Sequence, residues 1–182
     1  MKIKNYIVSF IFCLIIPSID HKVDSLVAIM TLEEKIGQMT QVEMRFIEPQ
    51  DIKDLHIGSL LSGGGGTPNL STISKKMDNP LENNPESWVK MYNAYQDYAL
   101  DTRLGIPLIY GIDAVHGHNN VFGATIFPHN IGLGCTFDTS LVEKVSYATS
   151  VEVLATGLNW TFSPCIAIPL EERWGRHYEG YS

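Results

Sequence analysis

Three short apolar runs, separated by longer stretches with helical periodicity, organise this chain. Residues 57–61 read as a strand that breaks at Ser62 and runs into four glycines, Gly63 to Gly66. Residues 107–110 form a second buried run, which ends abruptly in Gly111, Ile112 and Asp113. Residues 158–162 form a third, closed by Ser163 and Pro164. Between and around them, apolar residues recur on one helical face. At residues 31–39 the pair Thr31 and Glu34 has capping-box spacing, and Leu32, Ile36 and Met39 make a face expected to pack. After Asn84 and Pro85, a stripe of Trp88, Met91, Tyr92, Tyr95 and Ala99 predicts a second helix, ended by Leu104, Gly105 and Pro107. Asp138 caps a third, with Leu141, Val145, Ala148 and Ala155 on its apolar face and Gly157 as its stop. Residues 70–84 are polar and carry Pro80, which predicts a surface loop. Strand, helix, strand, helix, strand in this order is the pattern of parallel βαβ units, so the fold class is α/β.

A chain of 182 residues with 45% hydrophobic content has the length and core material of one domain. The net charge of −7 and the lack of clustered Lys and Arg exclude nucleic acid as a partner. Residues 1–20 pair Lys2 and Lys4 with an apolar run over residues 6–16, followed by Pro17 and Ser18. That layout predicts a secretory signal peptide, since the run is shorter than the roughly 20 apolar residues of a membrane span. An uncleaved anchor is the alternative, because no small-x-small cleavage pair stands near Ser18. Beyond the leader, Cys135 and Cys165 could pair in an exported chain, but spacing does not show that their Cα atoms come close enough, and both read first as core thiols. Of two glycosylation sequons, at Asn69 and Asn159, only Asn69 falls in a predicted surface loop.

The chemistry concentrates in residues 105–134. Asp113 stands where a buried strand stops, and in parallel α/β sheets the carboxyl ends of strands face the ligand. Around it lie His116, His118, Asn119, Asn120, His129 and Asn130, all uncharged donors and acceptors. One acid among neutral hydrogen-bonding groups suits a ligand rich in hydroxyls, a carbohydrate. A zinc site would want a third ligand at a workable spacing, and the histidines read better as groups that shape the loop. The glycine run lacks the Lys-Ser or Lys-Thr pair of a phosphate cradle and meets Pro68, so it reads as a loop bending over the site. Trp160 and Trp174 are expected to pack, and Arg173 to pair with Glu171 or Glu172.

GIDAVHGHNNVFGATIFPHNIGLG from Gly111, SPCIAIPLEERWGRHYEGYS from Ser163, TLEEKIGQMTQVE from Thr31 and GSLLSGGGGTPN from Gly58 together resemble the amino-terminal barrel domain of the family 3 glycoside hydrolases. The resemblance implies a (β/α)8, TIM-barrel-like fold. Such a barrel takes about 250 residues, so three strands here make an incomplete one, about the first three βα units, with residues 21–182 as a partial barrel domain. It implies a β-glucosidase or exo-β-glucanase type of activity: retaining hydrolysis of O-glycosidic bonds that releases glucose from non-reducing ends of β-glucosides or β-glucans. The family's nucleophilic aspartate, its acid/base glutamate and its Lys-His pair belong to sequence beyond Ser182. No catalytic residue is therefore expected here, and the 182-residue chain is expected to be inactive alone. Two positions match the family's substrate-binding residues: Asp113 in GIDAVHG, which accepts from sugar hydroxyls, and Arg176 in RWGR. A cap, or a salt bridge between Asp113 and Arg176 themselves, is the structural alternative. No metal or cofactor is implied. The expected partners are a β-glucoside or β-glucan substrate and the carboxy-terminal part of the same protein, with no membrane contact after signal cleavage. The location is secreted, extracellular or a lysosome-like compartment. The alternative is a truncated, non-catalytic barrel fragment with at most weak sugar binding. One departure from the family stands before RWGR, where Glu171-Glu172 replaces the usual Asp-Pro.

Overall fold

A computed structural model of the protein describes residues 18–68, 82–168 and 170–181. Most of the predicted signal segment and the Asn69 sequon lie outside them. The chain divides into two units, residues 1–30 and 31–182. Within the first, helix α1 (Ile19–Ile29) is capped by Ser18, whose hydroxyl accepts from the His21 N–H at 3.2 Å. None of its residues is buried. Among the described residues no helix is long and apolar enough to cross a membrane.

The second unit is a parallel sheet with helices on it. In chain order its elements are α2 (Leu32–Gln38), β1 (Gln41–Glu43), α3 (Pro49–Asp54), β2 (Ser59–Ser62), α4 (Pro85–Leu100), β3 (Ile109–Ile112), α5 (Asn130–Gly134), α6 (Thr139–Ala155) and β4 (Trp160–Thr161), with 3-10 turns at Met44–Phe46 and His177–Glu179. The four strands lie side by side in the order β1-β2-β3-β4, all parallel. Register sets Leu60 beside Tyr110 and Gly111 beside Trp160. Consecutive order with parallel pairing is what repeated βα units give.

Among the described residues the sheet has one strand more than the sequence predicts. β1 spans three residues and carries one apolar side chain, Val42, too little for a periodicity signal. β3 also runs further than the apolar run suggests, through Gly111 and Ile112 to the threshold of Asp113. Glycine at 111 keeps room for the next strand: a Cβ there would stand 2.5 Å from Phe162 Cζ and 3.1 Å from Trp160 Cε3.

One sheet face carries the core. Leu60, Ser62, Tyr110 and Ile112 are fully buried, with Trp88, Met91, Tyr95 and Ala99 of α4 in the same packed layer. Tyr110 stacks on Tyr92 and meets Tyr95 edge-on, with centroids 6.5 and 6.3 Å apart. The polar groups in this layer are satisfied. Ser62 Oγ and Tyr110 Oη share a hydrogen bond at 2.8 Å, and the Gln96 amide brackets Leu108, donating to its carbonyl at 2.6 Å and accepting from its N–H at 3.0 Å. These bonds spare the core the cost of unpaired polar atoms and fix where β3 begins.

Helix α2 departs from expectation. Its capping box is present, with Glu34 N–H to Thr31 Oγ1 at 3.2 Å and Thr31 N–H to Glu34 Oε2 at 2.8 Å. However, Leu32, Ile36 and Met39 are exposed, and the buried side holds Glu34 and Gly37. Gly37 presses on the chain at Leu55 and His56, where a Cβ would stand 2.3 Å from the Leu55 carbonyl oxygen. Glu34 is drawn inward by Arg103, which donates through Nε at 2.9 Å and Nη2 at 2.6 Å. Backbone proximity and an ion pair, both tertiary, outweigh the apolar stripe.

Candidate functional site

At the carboxyl end of the sheet, Asp113 follows β3 directly. Its backbone N–H donates to the Ser62 carbonyl at 3.2 Å, so the β2–β3 ladder runs to this residue before the chain turns away. Its Oδ2 accepts from the Gly64 N–H at 3.2 Å. Next along, the Asn120 side chain donates to the Gly63 carbonyl and accepts from the Gly65 N–H, each at 3.0 Å. Residues 63–66 are thus tied down by one carboxylate and one amide. Their N–H groups at 64 and 65 are already spent on Asp113 and Asn120, which leaves them unavailable as a phosphate cradle. Gly65 sits at φ +79°, a conformation that favours glycine.

The histidines divide into two roles. His118 is fully buried, its Nε2 shares a hydrogen bond with Thr156 Oγ1 at 2.9 Å, and burial pushes its pKa down to about 4, so the ring is neutral at pH 7. His116 Nδ1 bonds the Phe127 carbonyl at 2.8 Å, and its ring stacks on His129 at 3.9 Å, with Tyr178 edge-on to His129 at 4.7 Å. Burial first, then the neighbouring His116 charge, holds His129 below its ordinary value. Among the described residues no group of three or more His, Cys, Asp or Glu is placed to hold a metal ion.

Arg176 stands at the N-cap of the 3-10 turn His177–Glu179, with its side chain 63% exposed. Its partner is Glu179 and not Asp113: Nε donates to Oε1 at 2.7 Å, and Nη2 donates to Oε2. The expected alternative of an Asp113–Arg176 bridge is therefore replaced by a local pair. The half-buried Cys165 donates from Sγ to Glu179 Oε2 at 3.6 Å. Burial pushes that thiol up, with Glu179 and Asp113 adding to the rise and Arg176 opposing it. Arg173 pairs with Glu171, through Nε at 2.7 Å and Nη2 at 3.0 Å.

Other expectations need correcting. Trp160 and Trp174 are 41% and 37% exposed, not packed; Trp160 leans edge-on against Phe162, and Trp174 neighbours His177. Cys135 is an exposed free thiol and Cys165 a half-buried one, so neither is a core residue. Asn159 uses its side chain within the fold, accepting from the Tyr110 N–H at 3.0 Å. The sequence pattern marked Asn120 and the glycine loop as neighbours of Asp113, but Glu179 escaped it as a site residue. Glu179 did carry a usable signal, three residues after Arg176, the spacing of a local ion pair.

A carboxylate at a strand end, with a glycine loop folded onto it, thus stands at the carboxyl end of the parallel sheet. Residues 31–182 match the glycosyl hydrolase family 3 N terminal domain. The chain belongs to this family. It is 34% identical over 176 residues to a lysosomal beta glucosidase of Dictyostelium discoideum, covering 89% of this chain and 20% of that protein. It is 29% identical over 167 residues to a periplasmic beta-glucosidase of Salmonella typhimurium, covering 89% and 18%. Among solved structures it is similar to an exo-1,3/1,4-beta-glucanase from a Pseudoalteromonas species, with TM-score 0.78, 38% identity, and coverage of 90% of this chain and 20% of that one. A beta-glucosidase from Listeria innocua in complex with isofagomine aligns with TM-score 0.61 and 30% identity, covering 88% and 20%. The chain thus spans about a fifth of the length of these family 3 relatives. Its four-stranded parallel sheet is part of the TIM-barrel-like fold of the family 3 amino-terminal domain.

Proposed function

We propose that this chain forms the sugar-binding amino-terminal part of a retaining β-glucosidase that releases glucose from non-reducing ends of β-glucosides or β-glucans. The observation that carries the reading is Asp113: an acid at the end of a central strand, positioned by the Gly64 N–H, within the family 3 match. An ionised carboxylate accepts from two neighbouring hydroxyls, and a guanidinium offers them a fork of donors, so Asp113 and Arg176 suit one sugar ring. The two carboxyl groups that glycoside hydrolysis requires are proposed to come from sequence outside these 182 residues. Relatives named lysosomal and periplasmic support a secreted or lysosome-like location, with residues 1–20 as the proposed leader and 21–182 as the partial barrel domain.

The test assays the complete protein that carries this chain on an aryl β-glucoside, following the anomer released by NMR. Glucose appearing first as the β-anomer is expected, and the 182-residue chain alone is expected to show no turnover above a blank. Release of the α-anomer first would contradict the mechanism. Sugar binding without turnover by the complete protein would favour the non-catalytic fragment reading.

A further inference from the structure

We propose that Glu179 is a positioning residue for sugar binding, holding the Arg176 guanidinium side-on so that its remaining N–H edge is presented to substrate hydroxyls. The proposal rests on Arg176 being a sugar-binding residue. The two members of the pair differ sharply in environment: the Arg176 side chain is 63% exposed, while that of Glu179 is 11% exposed. Glu179 is anchored by two other segments. Its backbone carbonyl accepts from Nδ2 of the buried Asn130 on α5 at 2.7 Å, and its Oε2 accepts from Cys165 Sγ at 3.6 Å. The carboxylate is thus the fixed member and the arginine the one being held.

Pairing through Nε and Nη2 uses two of the five guanidinium N–H groups and leaves three on the opposite edge. An exposed arginine otherwise samples many rotamers, and ordering it on binding weakens affinity. A fixed carboxylate removes that cost beforehand. The arginine in turn keeps the Glu179 carboxyl below the usual carboxylate range. A group held ionised in this way is a poor proton donor, so its contribution is positional.

The test compares Arg176→Ala, Glu179→Gln, Glu179→Asp and the double variant Arg176→Ala/Glu179→Gln in the complete protein, with KM, kcat and melting temperature measured for each. Glu179→Gln is expected to raise KM for an aryl β-glucoside by about tenfold or more, with a smaller change in kcat. Glu179→Asp, which keeps the charge, is expected to recover part of the loss. The double variant is expected to bind no worse than Arg176→Ala alone, because Glu179 acts only through the arginine. Losses that multiply in the double variant, or a lowered melting temperature with wild-type KM in Glu179→Gln, would overturn the proposal. Wild-type KM in Arg176→Ala would overturn the underlying role of Arg176 as well. If Glu179→Gln does not fold, Glu179→Asp decides: a raised KM supports the positioning role, and a wild-type KM refutes it.

Discussion

Helices α4 and α6 have nearly the same length, 16 and 17 residues, yet they meet the sheet very differently. α4 buries Ser87, Trp88, Met91, Tyr95, Gln96 and Ala99, whereas α6 buries only Val145, Thr149 and Val153. The sequence difference is one of size and placement. The large residues of α4 lie on one side and meet Tyr110, while α6 spreads Leu141, Tyr147, Val151 and Leu154 onto faces that stay exposed. The sheet repeats the contrast. Tyr110 and Ile112 on the covered face are fully buried, and Ile109 and Trp160 on the other are 51% and 41% exposed. Stability is thus concentrated in β1–β3 with α3 and α4, while the candidate site draws on the thinner side through Cys165, Arg176 and Glu179.

The largest effect expected from this asymmetry is self-association. β1 and β4 each present an unpaired sheet edge among the described residues, and Phe122, Phe137, Ile166 and Leu170 are more than 80% exposed. Unpaired edges and uncovered apolar surface favour contact between chains. The 182-residue chain on its own is expected to elute as aggregate, or as a molten species that binds a hydrophobic dye. A monodisperse monomer with a sharp melt would break the comparison.

Next in size are paired core truncations in the complete protein, read by urea unfolding. Trp88→Ala is expected to cost about 3 to 5 kcal/mol, since the ring is fully buried. Leu154→Ala, at a position 67% exposed, is expected to cost about 0.5 kcal/mol or less. A core-sized loss at Leu154 would show that α6 has a covered outer face in the complete protein.

A smaller effect sits where the two sides meet, at His118. Its imidazole pKa is pushed from 6.5 to about 4 by burial, so the unfolded chain takes up the proton first. The contribution is therefore fully present above about pH 6.5 and is lost as pH falls towards 4, on the order of 3 kcal/mol. His118→Gln is expected to flatten that part of the stability profile. An unchanged acid slope would mean that the ring is not held neutral by burial.

Helix α4, the strand leading to Asp113 and the Thr31–Glu34 capping box were legible because each carries a local code: a stripe, an apolar run ended by an acid, a cap spacing. Helix α3 offered a signal that went unread, since Pro49 opens it and Asp51 Oδ2 accepts from the Glu48 N–H at 2.9 Å. The orientation of α2 was not legible, because it depends on Gly37 meeting Leu55 and on Arg103, which are distant in sequence. At the site, Asp113 was marked by the end of its apolar run as well as by motif resemblance, and Arg176 by resemblance alone. The clamp of Gly64 on Asp113 spans 49 residues, and no periodicity reports such a contact.

The central claim is that the end of β3 binds the sugar through Asp113. Asp113→Asn keeps the shape but replaces a charged acceptor with an amide that donates on one side. In the complete protein, kcat/KM on an aryl β-glucoside is expected to fall by about ten- to several-hundredfold, the rate equivalent of losing a charged hydrogen bond and leaving a mispaired group. Near-wild-type efficiency in a folded Asp113→Asn variant would contradict the account.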